Sequence, residues 1–202
     1  MRLPVRRLVD VVVGFVALIV LSPVFAVLSI AVFLGSRRPI FYGGIRVGRE
    51  GRHFRMWKFR TMVANADRLG SVSGPDDQRV TRVGRILRKS KLDEIPQFLN
   101  LLAGDLTLVG PRPEVPEMIE CYTESQRAVL QFTPGITAPG EIYFTRVQEP
   151  SIPADVDPER YFLERLLDPK LAIDIQYFSR QTWRSDLGVI RDTVSLMLGR
   201  LF

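Results

Sequence analysis

Cysteine and histidine are almost missing from this 202-residue chain, which has one of each, Cys121 and His53. One thiol excludes an intramolecular disulfide framework and a multi-cysteine metal cluster. One imidazole makes a histidine-based metal centre or a histidine-dependent catalytic triad a poor fit. Internal repeats and low-complexity stretches are absent as well, and the length suits one domain with a core plus a small appendage. Charge is missing locally: residues 11–34 form a run of 24 positions without a single charged side chain.

As one helix that run would extend ~36 Å, enough to cross a ~30 Å hydrocarbon core. It is longer than the apolar part of a secretory signal peptide, and no small-residue cleavage site follows it. Against a straight crossing stands Ser22-Pro23, near the midpoint, where proline removes a backbone hydrogen bond and kinks the helix. Each half is then ~17 Å long, too short to cross alone. Arg2, Arg6 and Arg7 precede the run while Arg37 and Arg38 follow it, so both ends favour the cytoplasmic side. A helix–break–helix over residues 1–36 that enters and leaves by one leaflet satisfies both features, with a spanning helix as the alternative. The Ser22 hydroxyl is expected to take up a carbonyl freed by Pro23.

Residues 37–202 read as a cytoplasmic-facing domain of the α+β class, predominantly helical with a small β-hairpin. The hairpin is expected over residues 39–62, around the turn Gly48-Arg49-Glu50-Gly51. A polar loop (63–78) leads to a basic helix (79–89). A second helix, residues 93–103, has Asp93 as its cap and Pro96 in its first turn. A short strand (106–109) and an amphipathic helix (114–131) follow. Residues 133–158, with five prolines and two glycines, are expected to be mostly loop. Residues 158–182 are helical in pattern, with an interruption near Asp168-Pro169. Residues 187–202 repeat apolar positions at helical spacing and suit either a membrane interface or the core.

The net charge of +6 is unevenly spread: residues 37–91 carry 15 basic and four acidic side chains, residues 92–202 ten basic and 17 acidic. An electropositive face follows, suited to phosphates, nucleic acid or anionic headgroups. Arg79, Arg82, Arg85 and Arg88 recur every three residues, a slanted ridge that Lys89 and Lys91 extend toward Asp93. That ridge alone describes a solvated helix face or a lipid-binding patch equally well. Asp93-Glu94 alone is a good helix start, since acidic side chains suit an N-terminus. Together they suggest more: carboxylates beside cations and a phosphate-binding helix end can stay ionised, attack phosphorus, or hold Mg²⁺ against phosphate oxygens. Gly110-Pro111-Arg112-Pro113 presents an arginine fork between two prolines, and Lys58-Phe59-Arg60 places two cations around an aromatic.

These stretches resemble the bacterial sugar transferase family, the monotopic polyprenyl-phosphate phosphoglycosyl transferases. The matching residues are Ser22-Pro23, Arg46-Val47-Gly48 through Gly51, Phe54, Lys58 to Met62, Arg79-Val80-Thr81-Arg82-Val83-Gly84 and Leu92 to Gln97. They continue with Asn100, Gly104-Asp105, Val109 to Pro113, Pro134 to Thr137, Asp174, Tyr177, Asp186 and Thr193. The match covers nearly the whole chain and corresponds to the minimal catalytic unit.

The resemblance implies a re-entrant helix in the bacterial inner membrane, a site on the cytoplasmic face, and Mg²⁺ held by Asp93 and Glu94. It implies two steps. Asp93 attacks a UDP-sugar, releasing UMP, and polyprenyl phosphate (undecaprenyl phosphate) then collects the phosphosugar. Glu94 is implied as the second member of the dyad, Arg88 and Arg112 as phosphate contacts, with Lys58 and Arg60 beside them and Asp186 as an acid near the site. The expected partners are therefore UDP-sugar, polyprenyl phosphate and membrane lipid, with room for a homo-oligomer and no nucleic acid. Two places depart from the family's usual pattern: Ala138-Pro139-Gly140-Glu141-Ile142-Tyr143 after Gly-Ile-Thr, and Arg180 where asparagine is common. Both bear on which sugar is taken. The competing reading is a non-catalytic membrane scaffold that binds anionic lipid through its basic helix.

Overall fold

A computed structural model describes residues 3–36, 38–63, 66, 77–153 and 155–201. Arg2, Arg37, Phe202 and most of the loop at 63–78 thus lie outside the described residues. Two helices, α1 (Leu3–Val20) and α2 (Ser22–Ser36), begin the chain. Among the described residues no single helix is long and apolar enough to cross a membrane, but Val5–Val20 and Ser22–Ser36 together are, bent by 63°. Leu8, Phe15, Ile19, Val27 and Leu34 are all more than half exposed, an apolar surface left largely uncovered by the described residues. Val32, by contrast, is buried with Phe59, Leu87 and Ile95, and Phe25 packs its ring 5.0 Å from that of Phe59. So α2 turns one side into the core of the following domain.

The expected hairpin is present. Strands β1 (Phe41–Val47) and β2 (His53–Phe59) pair antiparallel around the Gly48–Gly51 turn, in register from Phe41 opposite Phe59 to Val47 opposite His53. The basic helix α3 (Arg82–Ser90) starts three residues later than anticipated. Thr81 caps it by accepting from the Gly84 N–H, which leaves Arg79 ahead of the helix, bound to Asp77. The arginine ridge therefore has three members on the helix rather than four. Gly84 must lack a side chain, because a Cβ there would lie 2.0 Å from the Thr61 carbonyl oxygen.

The second helix also starts later. Lys91, in the left-handed conformation at φ 58°, turns the chain into a 3-10 segment, Leu92–Glu94, and α4 (Gln97–Ala103) begins after Pro96 without a side-chain cap. Asp93 is consequently not a helix cap. Asn100 ties α4 to β2: its side chain accepts from the Trp57 N–H at 2.9 Å and donates to the Arg55 carbonyl at 2.7 Å.

Strand β3 (Thr107–Val109) appears where expected. The helix anticipated over 114–131 is broken into α5 (Pro116–Glu120), α6 (Glu124–Arg127) and a 3-10 turn, Ala128–Gln131. The break arises because Thr123 and Gln126 form a reciprocal capping box that starts a new helix. The segment at 133–158 is far from being loop. It holds β4 (Gly135–Thr137), parallel to β3, then α7 (Pro139–Tyr143) continued by a π-helical segment, Phe144–Gln148. Gly110 and Gly135 meet backbone to backbone there; a Cβ on Gly135 would stand 2.1 Å from the Gly110 nitrogen.

Residues 158–179 run as continuous helix: α8 (Pro158–Tyr161), a π segment, Phe162–Leu166, and α9 (Leu167–Ser179). Pro169 does not interrupt it. The wider π turn lies where the proline ring would otherwise strike the carbonyl four residues back. The last helix, α10 (Trp183–Leu201), packs one apolar side on the core and leaves other apolar positions exposed. Val189 is buried against Val109, Ala138 and Phe178, whereas Leu187, Val194 and Leu198 are at least half exposed.

Candidate active site

Lys58 on β2, Asp93 and Glu94 in the 3-10 turn, and Arg112 in the loop after β3 come together. Lys58 Nζ donates to Glu94 Oε1 at 2.7 Å, and Arg112 Nη2 donates to the same oxygen at 3.1 Å. Leu92 and Ile95 on either side of the dyad are held in the core with Phe59 and Leu87, which fixes the turn. The Gly110–Gly135 contact fixes the loop that carries Arg112.

The two carboxylates differ sharply. Asp93 is 6% exposed, and its Oδ1 is buried without a hydrogen-bond partner. Burial pushes its pKa above the usual carboxylate range, against the pull of Lys58. Burial acts the same way on Glu94, but Arg112 and then Lys58 overcome it and hold that carboxyl well below the ordinary range. The expectation of a low-pKa carboxylate therefore holds for Glu94 and is reversed for Asp93. Burial likewise lowers the Lys58 ammonium, opposed by Glu94.

The pair belongs to a longer ladder that the sequence reading missed. Arg112 Nε stands 3.5 Å from Glu141 Oε1; Lys170 Nζ lies 3.3 Å from Glu141 Oε2 and 3.1 Å from Glu114 Oε1. Charges thus alternate from Lys58 through Glu94, Arg112, Glu141 and Lys170 to Glu114. Glu141, placed on α7, and Lys170, on α9, carried no local signal, because their partners are distant in sequence. Arg112 is raised above its ordinary value, first by Glu141 and then by Glu94. Its Nη1 donates to no protein group among the described residues, and Glu94 offers only Oε1 to its two cations.

The remaining anticipated residues are placed differently. Arg88 Nε donates to Thr61 Oγ1 at 2.8 Å, and its charge reaches Asp93, lowering that carboxyl's pKa. Arg60 is buried, and its guanidinium binds the carbonyls of Ser36 and Arg38 where α2 meets the domain. Asp186 sits in a separate cluster, receiving Arg6 at 2.9 Å, Tyr177 at 2.7 Å and Gln181 at 2.8 Å. Arg6 and Arg7, read only as topology signals, are thus structural: Arg7 donates to the carbonyls of Leu101 and Leu102 at the end of α4. Asp10 was missed altogether. It is buried on α1 and accepts from Thr107 Oγ1 at 2.8 Å and the Leu108 N–H at 3.0 Å.

Among the described residues no cluster of three or more metal-type side chains occurs. The dyad nevertheless fits Mg²⁺, which usually takes one or two carboxylates and fills its other positions with water and substrate phosphate. The partnerless Asp93 Oδ1 and the second oxygen of Glu94 supply that donor set.

Compared with known proteins, the chain matches the family model described as bacterial sugar transferase over residues 1–200. It is 39% identical over 165 residues to the exopolysaccharide production protein ExoY of Sinorhizobium fredii, covering 70% of this chain and 73% of that one. It is 36% identical over 141 residues to a UDP-glucose:undecaprenyl-phosphate glucose-1-phosphate transferase of Escherichia coli, covering 68% of this chain and 30% of that one. A UDP-N-acetylgalactosamine-undecaprenyl-phosphate N-acetylgalactosaminephosphotransferase of Aeromonas hydrophila is 40% identical over 111 residues, 54% of this chain and 26% of its own length. The chain therefore spans less than a third of these last two proteins.

Proposed function

The chain belongs to the bacterial sugar transferase family, and on that footing we propose that it moves a sugar phosphate from a UDP-sugar to polyprenyl phosphate at the cytoplasmic face of the bacterial inner membrane. The relatives named as transferases support this donor and acceptor class, their names specifying UDP-glucose or UDP-N-acetylgalactosamine with undecaprenyl phosphate. The observation that carries the reading is the buried Asp93 carboxylate, one oxygen without a partner among the described residues, beside a Glu94 that Lys58 and Arg112 bind through a single oxygen.

In the first step an Asp93 oxygen attacks the β-phosphorus of the UDP-sugar. The bond from that phosphorus to the oxygen shared with UMP breaks, and UMP leaves with the electron pair. In the second step a non-bridging oxygen of polyprenyl phosphate attacks the same phosphorus. The Asp93 carboxylate departs, and polyprenyl-diphosphate sugar is formed. Burial makes Asp93 a better nucleophile than an ordinary carboxylate, since a raised pKa goes with greater basicity. Arg112 Nη1 and Lys58 face the phosphates with positive charge. Glu94 keeps both cations in place and receives the acceptor. Mg²⁺, held by Asp93 and Glu94, would neutralise phosphate charge and polarise the phosphoryl oxygens. The bent α1–α2 pair, re-entrant in this reading, keeps the site at the headgroup plane, where a lipid phosphate can reach it.

The test is a UMP-release screen across UDP-sugars with undecaprenyl phosphate in nanodiscs, joined to labelling by a sugar-radiolabelled donor without acceptor. Wild type should retain covalent label and Asp93→Asn should not. Turnover by Asp93→Asn, or turnover by wild type without any protein-bound label, would sink the nucleophile assignment. Release of UMP from none of the donors would leave the anionic-lipid scaffold as the better reading.

A further inference from the structure

Glu141 lies in the segment where the sequence departs from its family's usual pattern, and it divides its two oxygens between two cations. Oε1 is 3.5 Å from Arg112 Nε, and Oε2 is 3.3 Å from Lys170 Nζ. The helix that carries it is firmly seated. The Gly140 N–H donates to Asp174 Oδ1 at 2.7 Å, and a Cβ on Gly140 would lie 2.5 Å from the Lys170 carbonyl oxygen, so α7 rests directly on α9. Lys170 is 3% exposed and held from the other side by Glu114. Burial alone would raise the Glu141 pKa, but Arg112 and then Lys170 bring it to about 2, so the group is anionic at neutral pH.

Arginine's fork matches a carboxylate with two parallel hydrogen bonds. Arg112 does not do this with Glu94, to which it gives Nη2 alone. Without Glu141, nothing else among the described residues holds Nε, and the fork is free to close on Glu94. That closure would take up the second oxygen of Glu94 and redirect Nη1, the donor with no protein partner.

We propose that Glu141 is a positioning residue for Arg112, holding the guanidinium open so that its Nη1 remains available to donate to a substrate phosphate. The proposal rests on the phosphate-transfer reading of the site, and it assigns the departing 138–143 segment a part in binding the diphosphate.

The experiment measures UDP binding by titration calorimetry in detergent, which needs no turnover, on wild type, Glu141→Ala, Glu141→Gln and Glu114→Gln. Glu141→Ala should bind UDP about tenfold more weakly, the loss expected for a misplaced charge-assisted contact. Glu141→Gln, which keeps an acceptor oxygen facing Nε where the ion pair now stands at 3.5 Å, should stay within about threefold of wild type. Glu114→Gln removes the other partner of Lys170 and leaves both ion pairs of Arg112 in place, acting on it only through a weaker long-range charge; it should lower Tm and weaken UDP by less than about threefold. Wild-type affinity in Glu141→Ala overturns the proposal. So does a Glu141→Gln as weak as the alanine variant, or a Glu114→Gln that weakens UDP as much as Glu141→Ala does. A wild type that binds no UDP overturns the nucleotide reading along with it, which separates that failure from the others.

Discussion

Ser22 donates its hydroxyl to the Ile19 carbonyl at 2.7 Å, and Ile19 is the residue whose helical partner Pro23 cannot supply. Proline lacks the N–H that would reach four residues back, and its neighbour's side chain fills the gap. The bend between α1 and α2 is therefore satisfied locally, as an apolar environment requires.

A straight helix would become available if both residues were changed. Single cysteines at positions 3 and 36, with Cys121 removed, should both label from the cytoplasmic side in an otherwise unaltered chain. Adding Ser22→Ala and Pro23→Ala should move part of the population to opposite-side labelling. Opposite-side labelling with Ser22-Pro23 intact would establish a spanning helix instead.

Glu94 is the anion that two partly buried cations share, with side chains 16–22% exposed. Glu94→Gln should cost about 2 to 3 kcal/mol, the lower end for breaking a buried pair because some exposure remains. The Tm should fall by about 2 to 4 °C per kcal/mol at this chain length. Asp93 itself remains, so protein-bound label should still form from the donor, though more slowly, since Glu94 no longer raises the Asp93 pKa or holds Lys58 and Arg112. Transfer onward to the lipid should drop about 100-fold, because Lys58 and Arg112 lose the anion that orients them toward the incoming phosphate. Rapid-quench measurement of label formation and decay separates these rates, and equal slowing of both would place Glu94 in the first step.

Asp10 predicts how α1 is attached. Asp10→Ala leaves the Thr107 hydroxyl and the Leu108 N–H without their acceptor, at about 1 to 3 kcal/mol for each buried group. Detergent-solubilised protein should lose Tm accordingly, and proteolysis near α1 should accelerate. Asp10→Asn keeps one carbonyl oxygen and should recover part of the loss. An unchanged Tm in the alanine variant would show that Arg6 and Arg7 alone anchor the helix.

What could be read in advance was whatever local chemistry decides. The break at Ser22-Pro23, the hairpin around Gly48–Gly51 and the meeting of Lys58, Glu94 and Arg112 were all legible in residue type or family resemblance. Tertiary pairing hid the rest. Gly135–Thr137 is too short, and too near prolines, to announce a strand; it exists because β3 lies parallel to it. Asp93 looks like a helix cap, yet Leu92 and Ile95 draw the turn into the core and bury it. Arg6 and Arg7 have the composition of a membrane flank and Arg60 that of a phosphate contact, but they bind backbone carbonyls, Gln181 and Asp186, set by contacts across the fold. Glu141 could not be singled out, since nothing around it in sequence shows Arg112 on one side and Lys170 on the other.

Asp174 gives a pH prediction whose sign is fixed by burial. It is 1% exposed, with Oδ2 lacking any partner, while Lys170, Glu141 and Glu114 surround it electrostatically. Desolvation raises its pKa from 3.8 to about 7, against the Gly140 hydrogen bond and Lys170. A raised carboxyl favours folding in its protonated form, so its contribution is complete below pH 3.8 and is lost as pH rises toward 7. At about 1.36 kcal/mol per pH unit, the loss has a ceiling of about 4 kcal/mol at pH 8. Asp174→Asn keeps an acceptor for the Gly140 N–H and cannot ionise. It should match wild type in Tm at about pH 3.8 and below, exceed it increasingly as pH rises from about 4 to about 7, and change little above about pH 7. Glu141 runs the other way: its depressed pKa adds stability above pH 4.5 that disappears as pH falls toward 2, so it cannot produce a difference that grows between pH 4.5 and about 7. A Tm difference that stays flat from about pH 4.5 to about 7 would mean Asp174 is already ionised in the folded protein, held so by Lys170.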